Sequence, residues 1–144
     1  MQQAMLRMLK ELPWTTNGLS LTERLVLKII DRDGPVNMAK AFHFLNTESE
    51  SMSFLGDIMF LSVMRLLWQD STVLNVVSSD ADQSPMLWET VEITAIGHEL
   101  IKGQHKWLNI CDHRYERWVG SVRVSNSGKQ WYWCPEKDRP VLIK

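Results

Sequence analysis

Cysteine is scarce in this chain: Cys111 and Cys134 are the only two in 144 residues. Two thiols do not make a disulfide framework, and a reduced, cytoplasmic setting is the expectation. Long apolar runs are missing as well. None approaches the roughly 18 residues that a membrane-spanning helix needs, so no membrane role is expected. The opening Met1 to Trp14 mixes Arg7, Lys10 and Glu11 with methionine and leucine. It lacks the continuous apolar core and small-residue cleavage site of a signal peptide. No Gly-x-Ser-x-Gly elbow, phosphate-cradling glycine loop or His-Glu-x-x-His is spelled anywhere, so no common catalytic constellation is expected, and no cofactor. Internal repeats and low-complexity segments are also lacking.

What is present is an ordinary globular composition, 44% apolar and 23% charged, in a length that suits one domain with a real core. Tryptophan is abundant, and most of it falls after residue 87. The net charge of −1 is unevenly spread: residues 1–97 hold 7 Lys+Arg against 12 Asp+Glu, and residues 98–144 hold 9 against 5. Attraction to phosphate is therefore a property expected of the C-terminal third, if of any part.

Apolar spacing predicts a short helix over residues 3–12 with Met5, Met8, Leu9 and Leu12 on one face. Nothing caps its start, so the expectation is that it continues from a preceding segment. Pro13 and Asn17-Gly18 break the chain. Ser20-Leu-Thr-Glu23 is a capping box, opening a helix to about Asp31 with Leu21, Leu25, Val26, Ile29 and Ile30 inward. Asp33-Gly34-Pro35 ends it. A shorter helix from about Asn37 to Leu45 follows, with Ala39, Phe42 and His43 toward the inside, then a polar loop from Asn46 to Ser53.

Residues 54–69 are the expected centre of the fold. Apolar side chains occupy nearly every side, and Asp57, Arg65 and Gln69 fall along one narrow stripe. Such a helix, capped by Ser53, is expected to lie inside a core. Thr72–Val77 and Leu87–Thr94 read as two strands of a hairpin with a long acidic tip, Ser78–Pro85. Thr94 caps a closing helix, Ala95 to about Gly103, with Ile96, Leu100 and Ile101 inward. Residues 107–113 read as irregular. Tyr115–Val124 and Lys129–Cys134 are expected to form a second hairpin around Ser125–Gly128, while Pro135 and Pro140 keep the tail out of any central strand.

This order predicts an α+β fold: three helices, a wing hairpin and a closing helix, as in a winged helix, with an additional C-terminal aromatic β-hairpin. Residues 1–19 would be a linker helix and loop, 20–104 the winged-helix-like core, and 105–144 the hairpin and tail packed on it. Several spellings carry a further likeness. They are Leu12-Pro-Trp-Thr-Thr-Asn-Gly-Leu-Ser-Leu-Thr-Glu23, Phe54-Leu-Gly-Asp57 with Phe60, Thr94 with Gly97 and Gly103, Arg117-Trp-Val-Gly-Ser121, and Trp131-Tyr-Trp133. In this order and spacing they resemble the C-terminal region of the bacterial family called domain of unknown function eighteen-thirty-five. The resemblance spans about residues 6–134. It implies a chain like the back half of a longer protein whose front is a separate α/β domain, and it implies no activity. The family tends to show two glycines where this chain has Gly120-Ser121, and an acid where it has Cys134.

Candidate chemistry is limited. A DNA-reading helix needs Arg, Lys, Asn or Gln on its exposed face, and residues 54–69 offer Arg65 and Gln69 beside acidic Asp57. The C-terminal third is the better binding surface: Arg114, Arg117, Trp118, Arg123 and Lys129 combine cations with an indole, which suits an anion or a base. The same tryptophans also fit a small satellite core, with Trp118, Val122 and Val124 on one strand face. Asp57 and Arg117 are expected to form a structural ion pair. His105, Cys111, His113 and Cys134 have the right atoms for zinc but no short Cys-x-x-Cys spacing, and no metal is expected. The reading that results is a non-enzymatic interaction domain contacting its own N-terminal domain or a second copy, with Met52, Met59 and Met64 near the contact surface. The alternative is a nucleic-acid-binding winged-helix module using the basic C-terminal third.

Overall fold

Local chemistry at Ser20 sets the first long helix. In the computed structural model, which describes residues 2–49, 56–69, 73–77, 86–111 and 115–143, the Ser20 hydroxyl accepts the Glu23 amide at 3.2 Å and the Glu23 carboxylate accepts the Ser20 amide at 2.9 Å. Helix α2, Leu21–Asp33, starts there, and Val26, Leu27, Ile29 and Ile30 bury its apolar face. Before it lies α1, Gln2–Leu9, shorter than the spacing suggested.

Beyond the Gly34-Pro35 turn the chain makes a two-residue strand, β1, Val36–Asn37. Asn37 then caps α3, Met38–Phe44, its side-chain oxygen accepting the amides of Ala39 and Lys40. The inward positions of α3 are Met38 and Ala41, with Phe42 half-buried; Ala39 and His43, expected inside, are exposed. Where a loop was expected the helix runs on as a π-helical turn, Leu45–Ser49, anchored by buried Leu45.

Helix α4 spans Asp57–Trp68, with Gly56 at the N-cap. The expected cap, Ser53, and Met52 lie outside the described residues. Phe60, Val63, Met64 and Leu67, spaced at helical intervals, are buried. Phe60 meets Phe42 of α3 with ring centroids 5.0 Å apart. The helix is not wrapped on most sides, as its composition suggested. Its first turn is bare, and Ile58 and Met59 there are 76% and 55% exposed.

Strands β2, Leu74–Val76, and β3, Thr90–Ile93, pair antiparallel as expected. They belong to a three-stranded sheet of order β1-β3-β2; a strand as short as β1 leaves no periodic signal of its own. The acidic tip expected at Ser78–Pro85 lies outside the described residues. Helix α5, Ala95–Ile101, follows β3, with Thr94 accepting the Gly97 amide at 3.1 Å. Leu100 of α5 is buried, but Ile96 is exposed, not inward. A helical turn, α6, Trp107–Ile110, stands in the region read as irregular.

The C-terminal third holds two hairpins where one was expected. Strand β4, Glu116–Val119, turns at Gly120-Ser121 into β5, Val122–Ser125, and β6, Gln130–Cys134, pairs with β7, Arg139–Ile143. Gly120 has φ +60°, the left-handed conformation that glycine tolerates best, so the presumed single strand 115–124 folds on itself there. Pro140 sits opposite Trp133 in a two-stranded pair, an edge position that tolerates the missing donor. The other edge of β6 bonds the linker: the Trp133 amide donates to the Pro13 carbonyl at 2.8 Å, and the Thr15 amide to the Trp133 carbonyl at 2.9 Å. The architecture is α+β, helices around several small antiparallel sheets. Among the described residues no helix is long and apolar enough to cross a membrane.

Candidate functional site

Helix α1 follows its amphipathic pattern only in part: Leu9 packs half-buried against the core, while the two methionines expected beside it do not. Arg7 is its buried residue, while Met5 and Met8 are 58% and 42% exposed. Leu12, beyond the helix, does go inside. A buried arginine on a short helix needs anionic partners, and the loop after α1 supplies one. Arg7 Nη1 donates to Glu11 Oε1 at 2.8 Å, and Arg7 Nη2 donates to Thr22 Oγ1 at 3.0 Å.

From there the contacts extend into a hub of four charges. The Glu11 carboxylate also accepts the amide of Thr22 at 3.0 Å and the hydroxyl of Thr22. Its other oxygen accepts Arg117 Nη2 at 2.9 Å. Arg117 Nη1 donates to Ser20 Oγ at 3.2 Å and lies 3.6 Å from Glu23. The Tyr115 hydroxyl donates to the second Glu23 oxygen at 3.3 Å. Glu23, already half of the capping box, thus ties the start of α2 to β4 and to the residue just before it.

Burial sets the electrostatics of these groups, and their neighbours decide the outcome. For Glu11, burial pushes the carboxyl up, but Arg117, Thr22 and Arg7 together outweigh it and hold it below its ordinary range. For Glu23, burial prevails over Arg117 and the Ser20 amide, and the nearby charge of Glu11 adds to it, so this carboxyl lies above its ordinary range. Burial alone would lower Arg117, yet Glu23, Tyr115 and Glu11 raise it. Burial and the Glu23 charge push the Tyr115 phenol well up. The hub therefore holds fixed cations and one carboxylate that gives up its negative charge more readily than the other.

A cleft of about 340 Å³ opens above this hub. Ala4 and Met8 of α1 form one wall, Met59 of α4 another, and Trp118, Val119 and Gly120 of the β4–β5 hairpin a third; Glu11 and Arg117 reach it from below. Trp118 is 61% exposed. The satellite-core reading placed Trp118 with Val122 and Val124. The Gly120-Ser121 turn instead pairs Arg117 with Val124 and Trp118 with Arg123, and paired residues share a face. Arg117, Val119, Val122 and Val124 therefore lie on one side, and Trp118, Arg123 and Glu116 on the other.

The expected ion pair of Asp57 with Arg117 does not form. Asp57 is exposed in the first turn of α4, where its carboxylate accepts the Ile58 amide at 2.8 Å, and Arg117 is taken by Glu11 and Glu23. Of the other binding candidates, Arg123 is exposed and paired with Glu116 at 2.7 Å, Lys129 is exposed in the loop before β6, and Arg114 lies outside the described residues. Cys111 and Cys134 are both buried free thiols, and His105 meets Glu99 at 2.7 Å; His113 lies outside the described residues. Among the described residues no three His, Cys, Asp or Glu side chains converge as metal ligands. Sequence reasoning missed Arg7, Glu11 and Tyr115. The signal for the first two was their spacing of four, a helical ion pair, but nothing marked it as buried.

Comparison with protein-family models, with curated proteins and with solved structures returned no match. The resemblance noted above rests on its motifs alone.

Proposed function

We propose that this chain is a winged-helix-like interaction domain without catalytic chemistry of its own, and that it docks a second copy of itself. The element order α2-β1-α3-α4-β2-β3 with sheet order β1-β3-β2 supports the winged-helix part of the reading. The interaction part rests on a single observation: Met8, Met59 and Trp118, from three separate elements, meet around one cleft with their apolar surface turned outward. Methionine and tryptophan are enriched at protein interfaces, and tryptophan leads among their energetic anchors. The hub beneath them pairs its charges with one another, which suits a rigid support. Light scattering across a concentration series tests the reading. A mass approaching twice 16.8 kDa is expected, and a monomer at every concentration overturns it.

A second reading has its own observation. Trp118 and Arg123 are cross-strand partners, and both are exposed, a pairing of indole and guanidinium on which a single-stranded base can stack. Under this reading the C-terminal third binds nucleic acid, with Lys129 near the next turn. Titrating a mixed-sequence single-stranded oligonucleotide while following tryptophan fluorescence tests it. Binding that weakens steeply with added salt is expected, and no change at low salt removes the reading.

A further inference from the structure

We propose that the cleft beside α1 binds a small organic carboxylate, with the apolar body of the ligand against Met8 and Met59 and its carboxylate on Arg117. The cleft shares Met8 and Met59 with the proposed self-association face, so a bound ligand and a second copy compete for it, but ligand binding does not require self-association. Its volume of about 340 Å³ falls within the range of small-molecule pockets, which are mostly apolar with a few convergent polar groups. Methionine, alanine and valine residues line most of it, and the charged groups of Glu11 and Arg117 come together at one end.

The sign of the ligand's charge follows from what the hub shows to the cleft. Arg117 is its most open charged group, with 16% of the side chain exposed against 6% for Glu11 and 1% for Glu23. Glu11 has little left to give a cation: its two oxygens already accept from Arg7, from Thr22 twice and from Arg117. Nη1 of Arg117 donates to Ser20 and Nη2 to Glu11, and the rest of the guanidinium edge lies toward the cleft that Arg117 lines. A carboxylate is the group whose geometry suits a guanidinium edge.

The test uses the full chain labelled with ¹³C at its methionine methyl groups, titrated with 4-phenylbutyrate. Met8 and Met59 signals, assigned through their leucine variants, are expected to shift saturably while those of buried Met38 and Met64 stay in place. The uncharged 4-phenylbutanol is expected to bind about tenfold more weakly, the loss of one charge-assisted hydrogen bond, and 4-phenylbutylamine more weakly still. Ala4→Phe fills the cleft from an exposed helical position and leaves every hub residue in the sequence, and is expected to abolish the shifts in a chain whose circular dichroism is unchanged. The proposal is overturned by any of three results: no saturable shift at millimolar probe, equal response to the amine, or unaltered shifts in Ala4→Phe. Light scattering on the same samples reads self-association separately, so either reading can fail without the other.

Discussion

The guanidinium of Arg117 on β4 donates to the carboxylate of Glu11 at 2.9 Å, across 106 positions of sequence. That contact fastens the segment after α1 to the C-terminal hairpins, and through Thr22 and Ser20 to the start of α2. It also explains how α1 can turn Met5 and Met8 outward: polar contacts at Arg7 and Glu11 add to the packing of Leu9 and Leu12 on the core, where a longer apolar stripe holds most surface helices.

Removing the charge of Glu11 should therefore be costly. Glu11→Gln leaves Arg7 and Arg117 without their shared buried counter-charge, and a destabilisation of about 3 kcal/mol is expected at neutral pH. The folded chain holds this carboxyl below its ordinary value of 4.5. Its contribution is thus fully present above that value and is lost as pH falls through the lowered one. Urea unfolding of wild type and variant should show a gap that is constant near neutrality and narrows in acid.

Glu23 predicts the opposite slope. Its folded-state value is raised, so its protonated form favours folding, and stability falls as pH rises from 4.5 through the raised value. Glutamine can still close the capping box but carries no charge to desolvate. The difference in melting temperature, Glu23→Gln minus wild type, should therefore move in the variant's favour as pH rises over that window and then level off. A difference that stays flat, or that tracks the Glu11 profile, contradicts the assignment.

The contrast between these two residues marks what sequence could and could not convey. The capping box at Ser20 and Glu23, the Asn37 region as a helix start, and Thr94 as a cap all depend on neighbours three or four positions away, and all were legible. So were the order of the main helices and the antiparallel pairing of β2 with β3. The orientation of α1 was not, because periodicity identifies a face without saying whether the protein or solvent lies beside it. Nor was the partner of Arg117: any acid in the chain is equally available on paper, and nothing in the spacing brings Glu11 nearer to it than Asp57. The C-terminal hairpins were misread for a smaller reason. Val119-Gly120-Ser121-Val122 continues an alternating pattern on paper, but a turn at Gly120 reverses which residues share a face.

Gly97 offers a packing test. A Cβ built there would lie 2.6 Å from Ile93 Cγ1 and 2.8 Å from the Val73 carbonyl oxygen. The isoleucine can shift. The carbonyl cannot easily do so, because it accepts both the amide of Thr94 at 2.9 Å and its hydroxyl at 3.1 Å. Gly97→Ala should accordingly cost about 2 kcal/mol by overpacking, despite the better helix propensity of alanine. Thr94→Val should cost about 1 kcal/mol through the lost cap. Because the two residues share the Val73 contact, the double variant should cost less than their sum, measured by chemical denaturation.

Ile58 separates folding from association. It is 76% exposed in the first turn of α4, so Ile58→Lys removes little buried surface and should leave stability within about 0.5 kcal/mol of wild type. If the face around Met8, Met59 and Trp118 joins two copies, that lysine is carried into an apolar contact where its ammonium must lose water. The dissociation constant should rise at least about tenfold, the equivalent of about 1.4 kcal/mol. Ile96→Lys is the matched control, since Ile96 is also exposed but lies on α5; it should leave association unchanged. Sedimentation equilibrium over a dilution series distinguishes the outcomes. Equal weakening by both substitutions would point to a general effect of added charge, and no weakening by Ile58→Lys would place the self-association surface away from the start of α4.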